Sequence, residues 1–330
     1  MSLVNDLEFM SQAIEVAEEA RLHSSPNPWV GSVVVSNGKV ISKAATGPPG
    51  EPHAEAQALL EAGEGAQGAT LYTTLEPCNH FGKTGPCTEA IIKSKISRVV
   101  VAVKDPDEQV SGSGINALLD AGIEVELGPG ASQVLEQLAP YICHRNTGRP
   151  YVVLKLAATL DGRIAAPDGS SEWITGEEAR ADVHQLRAES NAVCVGAGTV
   201  RFDDPQLTVR AVQGNDPRRI VIGDIPEGAL VQPAESWNGG LEELLDDLGD
   251  QGVLQLLIEG GADVAGRFHR GGLVDRYVIY IAPAFLGGDD GKALFTGPGA
   301  PTMEQIQRGR FASIEQLGND LRIDVILEEN

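Results

Sequence analysis

Positive charge is the first thing this chain lacks: 25 lysines and arginines stand against 47 aspartates and glutamates, a formal net charge of −22. Cutting near residue 146 leaves 9 basic against 18 acidic residues in the first part and 16 against 29 in the remainder. Neither half offers the positive surface on which nucleic-acid binding rests, so a nucleic-acid partner is not expected. Cysteine is scarce as well, and four in 330 residues do not make a disulfide framework. No apolar run approaches the roughly 20 residues of a membrane span, and Met1 to Asp6 lack the basic and apolar regions of a secretory signal. These absences lead to the expectation of a cytoplasmic protein that does not touch membranes. What remains is ordinary for a globular chain: 42% hydrophobic residues, and a length that suits two domains of about 100 to 200 residues. There is no internal repeat and no low-complexity tract.

The first part alternates helix and strand patterns. Residues 6 to 22 place Phe9, Ala13, Ala17 and Ala20 at helical steps. Ser32 to Ser36, Asn37-Gly38 and Lys39 to Ile41 read as a β-hairpin, because Asn-Gly takes the positive φ angles of a type I′ turn. Helices are expected over His53 to Ala62, Cys87 to Lys95 and Ile115 to Ala121, with strands over Thr70 to Leu75, Arg98 to Val103 and Ile123 to Leu127. The alternation implies a mainly parallel sheet covered on both faces. Cys143 to Pro150 is polar, ends in Gly and Pro, and reads as a linker. The rhythm then restarts, with strands over Tyr151 to Leu156, Asn191 to Gly196, Arg219 to Gly223 and Val253 to Ile258. Helices fit Glu177 to Ala188 and Leu241 to Leu248. Pro226 to Gly240 shows no periodicity.

Chemistry concentrates in His53-Ala54-Glu55, Pro77-Cys78 and Pro86-Cys87. One imidazole and two thiolates leave a position of tetrahedral Zn²⁺ open for water, whose pKa zinc lowers toward about 7. Glu55, one residue past Ala54 on the starting turn of the same helix, can face that position as proton shuttle. Each cysteine follows a proline, and both are expected at helix N-termini, where the dipole favours thiolate. The order matches the zinc-deaminase signature of H-x-E followed by P-C-x-x-C, with a longer gap between the cysteines. A structural zinc would need a fourth protein ligand, and His80 stands near enough in sequence to be one.

These motifs, with Pro26-Asn27-Pro28-Trp29-Val30-Gly31, Gly50-Glu51-Pro52, Thr74-Leu75-Glu76 and Asp105-Pro106, resemble the bifunctional deaminase–reductases of riboflavin biosynthesis. The second part carries the resemblance onward in Lys155-Leu156-Ala157, Leu160-Asp161-Gly162-Arg163, Ser171 to Thr175, Gly198-Thr199-Val200, Asp203-Asp204-Pro205, Leu207 to Arg210, Glu259-Gly260-Gly261 and Leu273-Val274-Asp275. It implies an α/β chain with a cytidine-deaminase-like three-layer domain over 1–146 and a dihydrofolate-reductase-like domain over 147–330. The first would deaminate a phosphoribosylated diaminopyrimidine, with His53, Cys78 and Cys87 as zinc ligands and Glu55 as acid and base. Asn27, His80, Lys83 and Asp105 would contact the substrate there. The second would reduce the ribosyl group to ribityl with NADPH. Its substrate contacts would be Ser171, Arg187, Leu207, Arg210 and Glu259, and its cofactor contacts Ala157, Trp173, Thr199, Asp203 and the turn from Gly261. Lys155 and Asp203 are both candidates for its acid. A small phosphoribosyl pyrimidine is thus the implied partner, and the family suggests a homo-oligomer.

The chain departs from the family pattern in places. Thr46 stands where a histidine is usual, Asp107 where an asparagine is usual, and Ser113 where a basic residue is common; the last two should weaken phosphate binding. Gly223 replaces an aspartate, moving the acid to Asp224, and Asp224 to Ile258 is short by about one strand and one helix. The alternative these departures leave open is a deaminase whose second domain has become a scaffold.

Overall fold

A computed structural model of the chain describes residues 3–82, 84–107 and 110–328. It forms two compact units, Met1–Gly148 and Arg149–Asn330.

The first unit runs α1 (Leu3–Ala17), β1 (Gly31–Ser36), β2 (Lys39–Ala45), α2 (Ala54–Ala62), β3 (Thr70–Leu75), α3 (Cys87–Lys93), β4 (Arg98–Val103), α4 (Ser113–Asp120), β5 (Glu124–Leu127), α5 (Ala131–Gln137) and α6 (Ala139–Thr147). Its sheet has the order β2-β1-β3-β4-β5. β1 is antiparallel to both β2 and β3, and only β3, β4 and β5 are parallel, so the sheet is mixed rather than mainly parallel. The hairpin accounts for this, since Asn37 and Gly38 at φ 52° and 74° turn the chain straight back. β3 is buried at all six positions, as a central strand covered on both faces must be. α1 buries Phe9, Met10, Ala13, Val16 and Ala17, which recur at helical steps. It comes so near the sheet that a Cβ at Gly31 would lie 1.9 Å from the Ala13 carbonyl oxygen. The topology brings the start of β1 and the ends of β2, β3 and β4 to one edge of the sheet, because β1 antiparallels its neighbours while β3 and β4 run together.

The expected linker is only partly one. Cys143–Thr147 is the last turn of α6, which Gly148 terminates at φ 72°. Buried Leu138 and Tyr141 anchor that segment, so its polar tail stays helical.

The second unit comprises β6 (Tyr151–Thr159), β7 (Arg163–Ala165), α7 (Glu177–Ala188), β8 (Ala192–Gly196), α8 (Ala197–Asp203), β9 (Arg218–Ile222), β10 (Glu235–Trp237), α9 (Leu241–Asp250), β11 (Gln255–Ile258), α10 (Ala262–Arg270), β12 (Arg276–Ala282), β13 (Lys292–Ala293), β14 (Gly309–Leu317) and β15 (Asp320–Leu327). Eight strands form one sheet in the order β10-β9-β8-β11-β6-β12-β15-β14, parallel from β10 to β12 and antiparallel beyond. Period-two alternation divides the core. Val152, Leu154 and Leu156 pack with α9 and α10 residues such as Leu244 and Phe268, whereas Val153 packs with Val183 and Leu186 of α7. The aperiodic stretch 226–240 holds the three-residue strand β10, too short for a period to show. No helix lies between β9 and β10, in keeping with the shortness of the segment after Asp224. Among the described residues no helix is long and apolar enough to cross a membrane.

Candidate active sites

In the first unit the loop after β3, the start of α2 and the start of α3 meet. His53 is the extended residue that precedes α2, at φ −72° and ψ 165°, and Cys87 is the first residue of α3. Cys78 does not open a helix; it lies in the loop after β3, so the expectation of a helix N-terminus fails there. The peptide N–H of Cys87 lies 3.4 Å from the Cys78 sulfur and takes the place of a helix dipole in favouring thiolate. His53 Nδ1 is 3.6 Å from Cys78 Sγ and 3.4 Å from Cys87 Sγ, and the three ligand atoms lie within 4.8 Å of one another. Nitrogen and sulfur at zinc distances of about 2.1 and 2.3 Å, set at a tetrahedral angle, are about 3.6 Å apart, so these side chains fit a zinc ion. The donor chemistry agrees. The Cys78 thiol is pulled down to about 4, first by its contact with Cys87 and then by His53, while Cys78 and burial push Cys87 up. Two sulfurs that cannot share negative charge comfortably are a set that a divalent cation completes. Among the described residues this is the one group of three or more His, Cys, Asp or Glu poised to hold a metal, and His80 is not part of it.

Glu55 sits on the first turn of α2, 3% exposed, with its carboxyl pushed up to about 7 by burial and by the Cys78 charge. It lines a cavity of about 160 Å³ with His53 and Cys78, and the expected contacts Asn27, His80 and Asp105 line it as well. Lys83 falls outside the described residues. Asp105 accepts hydrogen bonds from the Asp107 N–H at 2.9 Å and the Tyr141 hydroxyl at 3.2 Å, and burial pushes its carboxyl up to about 6. Buried Glu76 fixes this edge. Its carboxylate accepts backbone N–H groups from Asp105, Gly112, Gly114 and Ile115 at 2.9 to 3.3 Å, tying the residue next to Pro77-Cys78 to the start of α4. Thr46 lines the cavity, its hydroxyl turned to the Val30 backbone, and Ser113 bonds the Val110 carbonyl. Tyr141 and Arg145 of α6 also line it; the sequence reading missed both. Their spacing of four on one helix face was the available signal.

In the second unit Glu259, just past β11, forms a bidentate pair with Arg187 at 2.6 and 3.0 Å, and Lys155 Nζ lies 4.0 Å away. Burial works to raise the Glu259 carboxyl, but the Arg187 guanidinium outweighs it and holds the group below the usual carboxylate range. Burial pushes Lys155 down, against the pull of Glu259. A cavity of about 360 Å³ is lined by these three and by Ala157, Ser171, Trp173, Thr199, Asp203, Arg210 and Gly261. Leu207 is not among its lining residues. The Leu207 side chain is buried in the core, at φ 53°. His184 and Arg180 were not foreseen and line the cavity, the latter 4.5 Å over the Trp173 ring. Asp203, raised by burial, accepts the Ser171 hydroxyl at 3.3 Å.

A groove of about 660 Å³ shares Ser171, Thr199, Asp203 and Gly261 with that cavity. It follows the ends of β8 and β9 and the start of α10, the position outside parallel strands where nucleotides bind. Gly260 packs on α10, where a Cβ would meet Val264 at 2.6 Å, and Gly261 offers the helix start to an anion. Arg201, Arg267 and Lys292 add positive charge to the walls, and Asp224 and Asp263 add negative charge. The residues fit a phosphorylated dinucleotide. Gly223, at φ 102° and with a Cβ position only 3.0 Å from Ala197, suits a backbone that an aspartate would strain.

Comparison with known proteins gives the same division. Residues 3–103 match the family described as cytidine and deoxycytidylate deaminase zinc-binding region, and 150–323 match the RibD C-terminal domain. The riboflavin biosynthesis protein RibD of Bacillus amyloliquefaciens is 38% identical, over 96% of this chain and 95% of its own. The chain belongs to the RibD family. Membership makes it a deaminase and a reductase in one polypeptide, with zinc serving the first activity and NADPH the second. Two solved structures extend the likeness. RibD of Acinetobacter baumannii has a TM-score of 0.93 at 37% identity, covering 99% of this chain and 100% of that one. A diaminohydroxyphosphoribosylaminopyrimidine deaminase/5-amino-6-(5-phosphoribosylamino)uracil reductase from Thermotoga maritima has 0.89 at 32%, covering 98% and 99%.

Proposed function

We propose that the first unit hydrolytically deaminates 2,5-diamino-6-(5-phosphoribosylamino)pyrimidin-4-one. We further propose that the second reduces the ribosyl group of the product to ribityl. The observation that carries this reading is the union of a three-ligand metal group with a buried, separate glutamate in one cavity. His53, Cys78 and Cys87 would hold zinc, which would supply an acidified water. Glu55, with a carboxyl near neutrality, takes a proton from the attacking water and passes it to the departing amine, so that ammonia leaves as the carbonyl forms. Asn27, His80 and Asp105 would orient the pyrimidine, and Lys83 would meet its phosphate.

In the second unit Ala157, Trp173, Thr199, Asp203 and Gly261 would hold NADPH, which would supply the hydride. Arg187, Arg210, Ser171 and Glu259 would bind the sugar phosphate, and the backbone at Leu207 would border it. Lys155, which lines the cavity, and Asp203, which lines both cavity and groove, are the candidates to deliver a proton. Such an assembled site supports an active reductase over a scaffold. The domains we assign are 1–146 and 147–330. The scarcity of cysteine supports work in the cytoplasm. Exposed Phe311 and Ile314 on the edge strand β14 support self-association.

Incubating the purified protein with the diaminopyrimidine and NADPH tests the reading. Ammonia release followed by NADPH oxidation and a ribityl product is expected; no deaminated product beside an active control would overturn it.

A further inference from the structure

Among the described residues that line the first cavity, Arg145 is the one lysine or arginine, and it shares that lining with Glu55, Glu76, Asp105 and Asp107. A phosphate entering such a place is repelled unless a cation meets it. α6 sets Arg145 one turn after Tyr141, whose hydroxyl donates to Asp105, and the guanidinium lies 5.1 Å over the Tyr141 ring. Asp107 Oδ2 approaches Arg145 Nε at 3.5 Å, with both side chains roughly three-tenths exposed. So loose and wet a pair adds little to stability. It leaves the planar fork of the guanidinium, which matches phosphate oxygens two at a time, able to exchange Asp107 for an incoming anion.

We propose that Arg145 binds the phosphate of the deaminase substrate, with Tyr141 as the positioning residue that holds it over the cavity. The proposal rests on the reading that the substrate is a phosphoribosyl pyrimidine. It makes Arg145, together with Lys83, a residue by which this cavity discriminates a nucleotide from the corresponding nucleoside. Asp107 competes with the incoming anion for the same guanidinium, so neutralising it strengthens phosphate binding.

The test is steady-state deamination by the full-length zinc protein, comparing the phosphorylated diaminopyrimidine with its dephosphorylated form. Arg145→Met is expected to raise KM for the phosphorylated compound about 10- to 100-fold, the size of one charge-assisted contact. Neither its kcat nor the KM of the dephosphorylated compound should change more than about twofold. Arg145→Lys is expected to recover part of the loss, and inorganic phosphate to inhibit the parent protein competitively but not Arg145→Met. Asp107→Asn, which keeps the shape and spares the fold, is expected to lower KM for the phosphorylated compound. An equal loss for both compounds, an unchanged KM in Arg145→Met, or a raised KM in Asp107→Asn overturns the proposal. If the parent protein turns over the phosphorylated compound while Arg145→Met matches it, this proposal alone falls. If the parent protein does not turn it over, the functional reading falls first and takes the proposal with it.

Discussion

Replacing Arg187 by methionine removes one half of the pair that organises the reductase cavity, and the structure sets the size of the effect. Arg187 and Glu259 side chains are 12% and 7% exposed, and their two hydrogen bonds of 2.6 and 3.0 Å make a bidentate contact. Taking one partner from a buried pair costs about 3–5 kcal/mol, because the other charge stays buried without compensation. Here Lys155 Nζ, 4.0 Å from the carboxylate, keeps part of that compensation in place. The expected loss is therefore about 2–4 kcal/mol. For a unit of this length that is roughly 4 to 16 °C in the melting temperature. The pH dependence has a definite sign. In the parent, Glu259 is held below its ordinary value, so its contribution is present at neutral pH and fades on acidification. In Arg187→Met burial prevails and raises the group, so the variant loses stability as pH rises. The gap between the two proteins should narrow from pH 8 toward pH 4.5. Urea unfolding monitored across that range, with Glu259→Gln and the double variant closing a cycle, measures the coupling directly. A loss below about 1 kcal/mol, or a coupling energy near zero, would refute the argument that this pair is buried and mutually dependent.

Glu55→Gln should lower kcat for deamination by about 10² to 10⁴ while zinc content and NADPH-dependent reduction of the deaminated intermediate stay at parent levels. Full turnover with zinc retained would remove Glu55 from the mechanism. Removing zinc with a chelator should abolish deamination and leave the reductase assay unchanged, since its metal ligands all lie in the first unit; loss of both activities would contradict that separation. Asp275 accepts the Val152 N–H at 2.7 Å, and burial pushes its carboxyl up to about 6, so its contribution is full at low pH and is lost as pH rises through that value. Asp275→Asn should flatten the stability profile between pH 4 and 6.5 and gain about 1–2 kcal/mol at pH 8, discounted for partial exposure; an unchanged profile counts against it. Gly31→Ala should cost about 1–3 kcal/mol or more in urea unfolding, because its Cβ would meet the backbone of α1 and not a side chain that can swing away.

What could be read from the chain and what could not divides along sequence distance. His53 and Glu55 share the start of one helix, and Cys78 and Cys87 lie nine residues apart, so local spacing was enough to group them. Tyr141 and Arg145 reach the same cavity from a helix whose polar tail resembles a linker, and only the burial of Leu138 and Tyr141 shows that the segment packs. The reductase site is harder still. Lys155 and Glu259 meet because β6 and β11 are parallel neighbours with Leu154 opposite Ile258, a register that no local pattern contains. Sheet order also decides Leu207. Its place among the substrate contacts comes from the family resemblance, and its side chain completes the core beneath α7 among Val183, Leu186 and Val193. Because that side chain is buried, a Leu207→Ala variant should lose stability in the second unit before it loses affinity for any ligand.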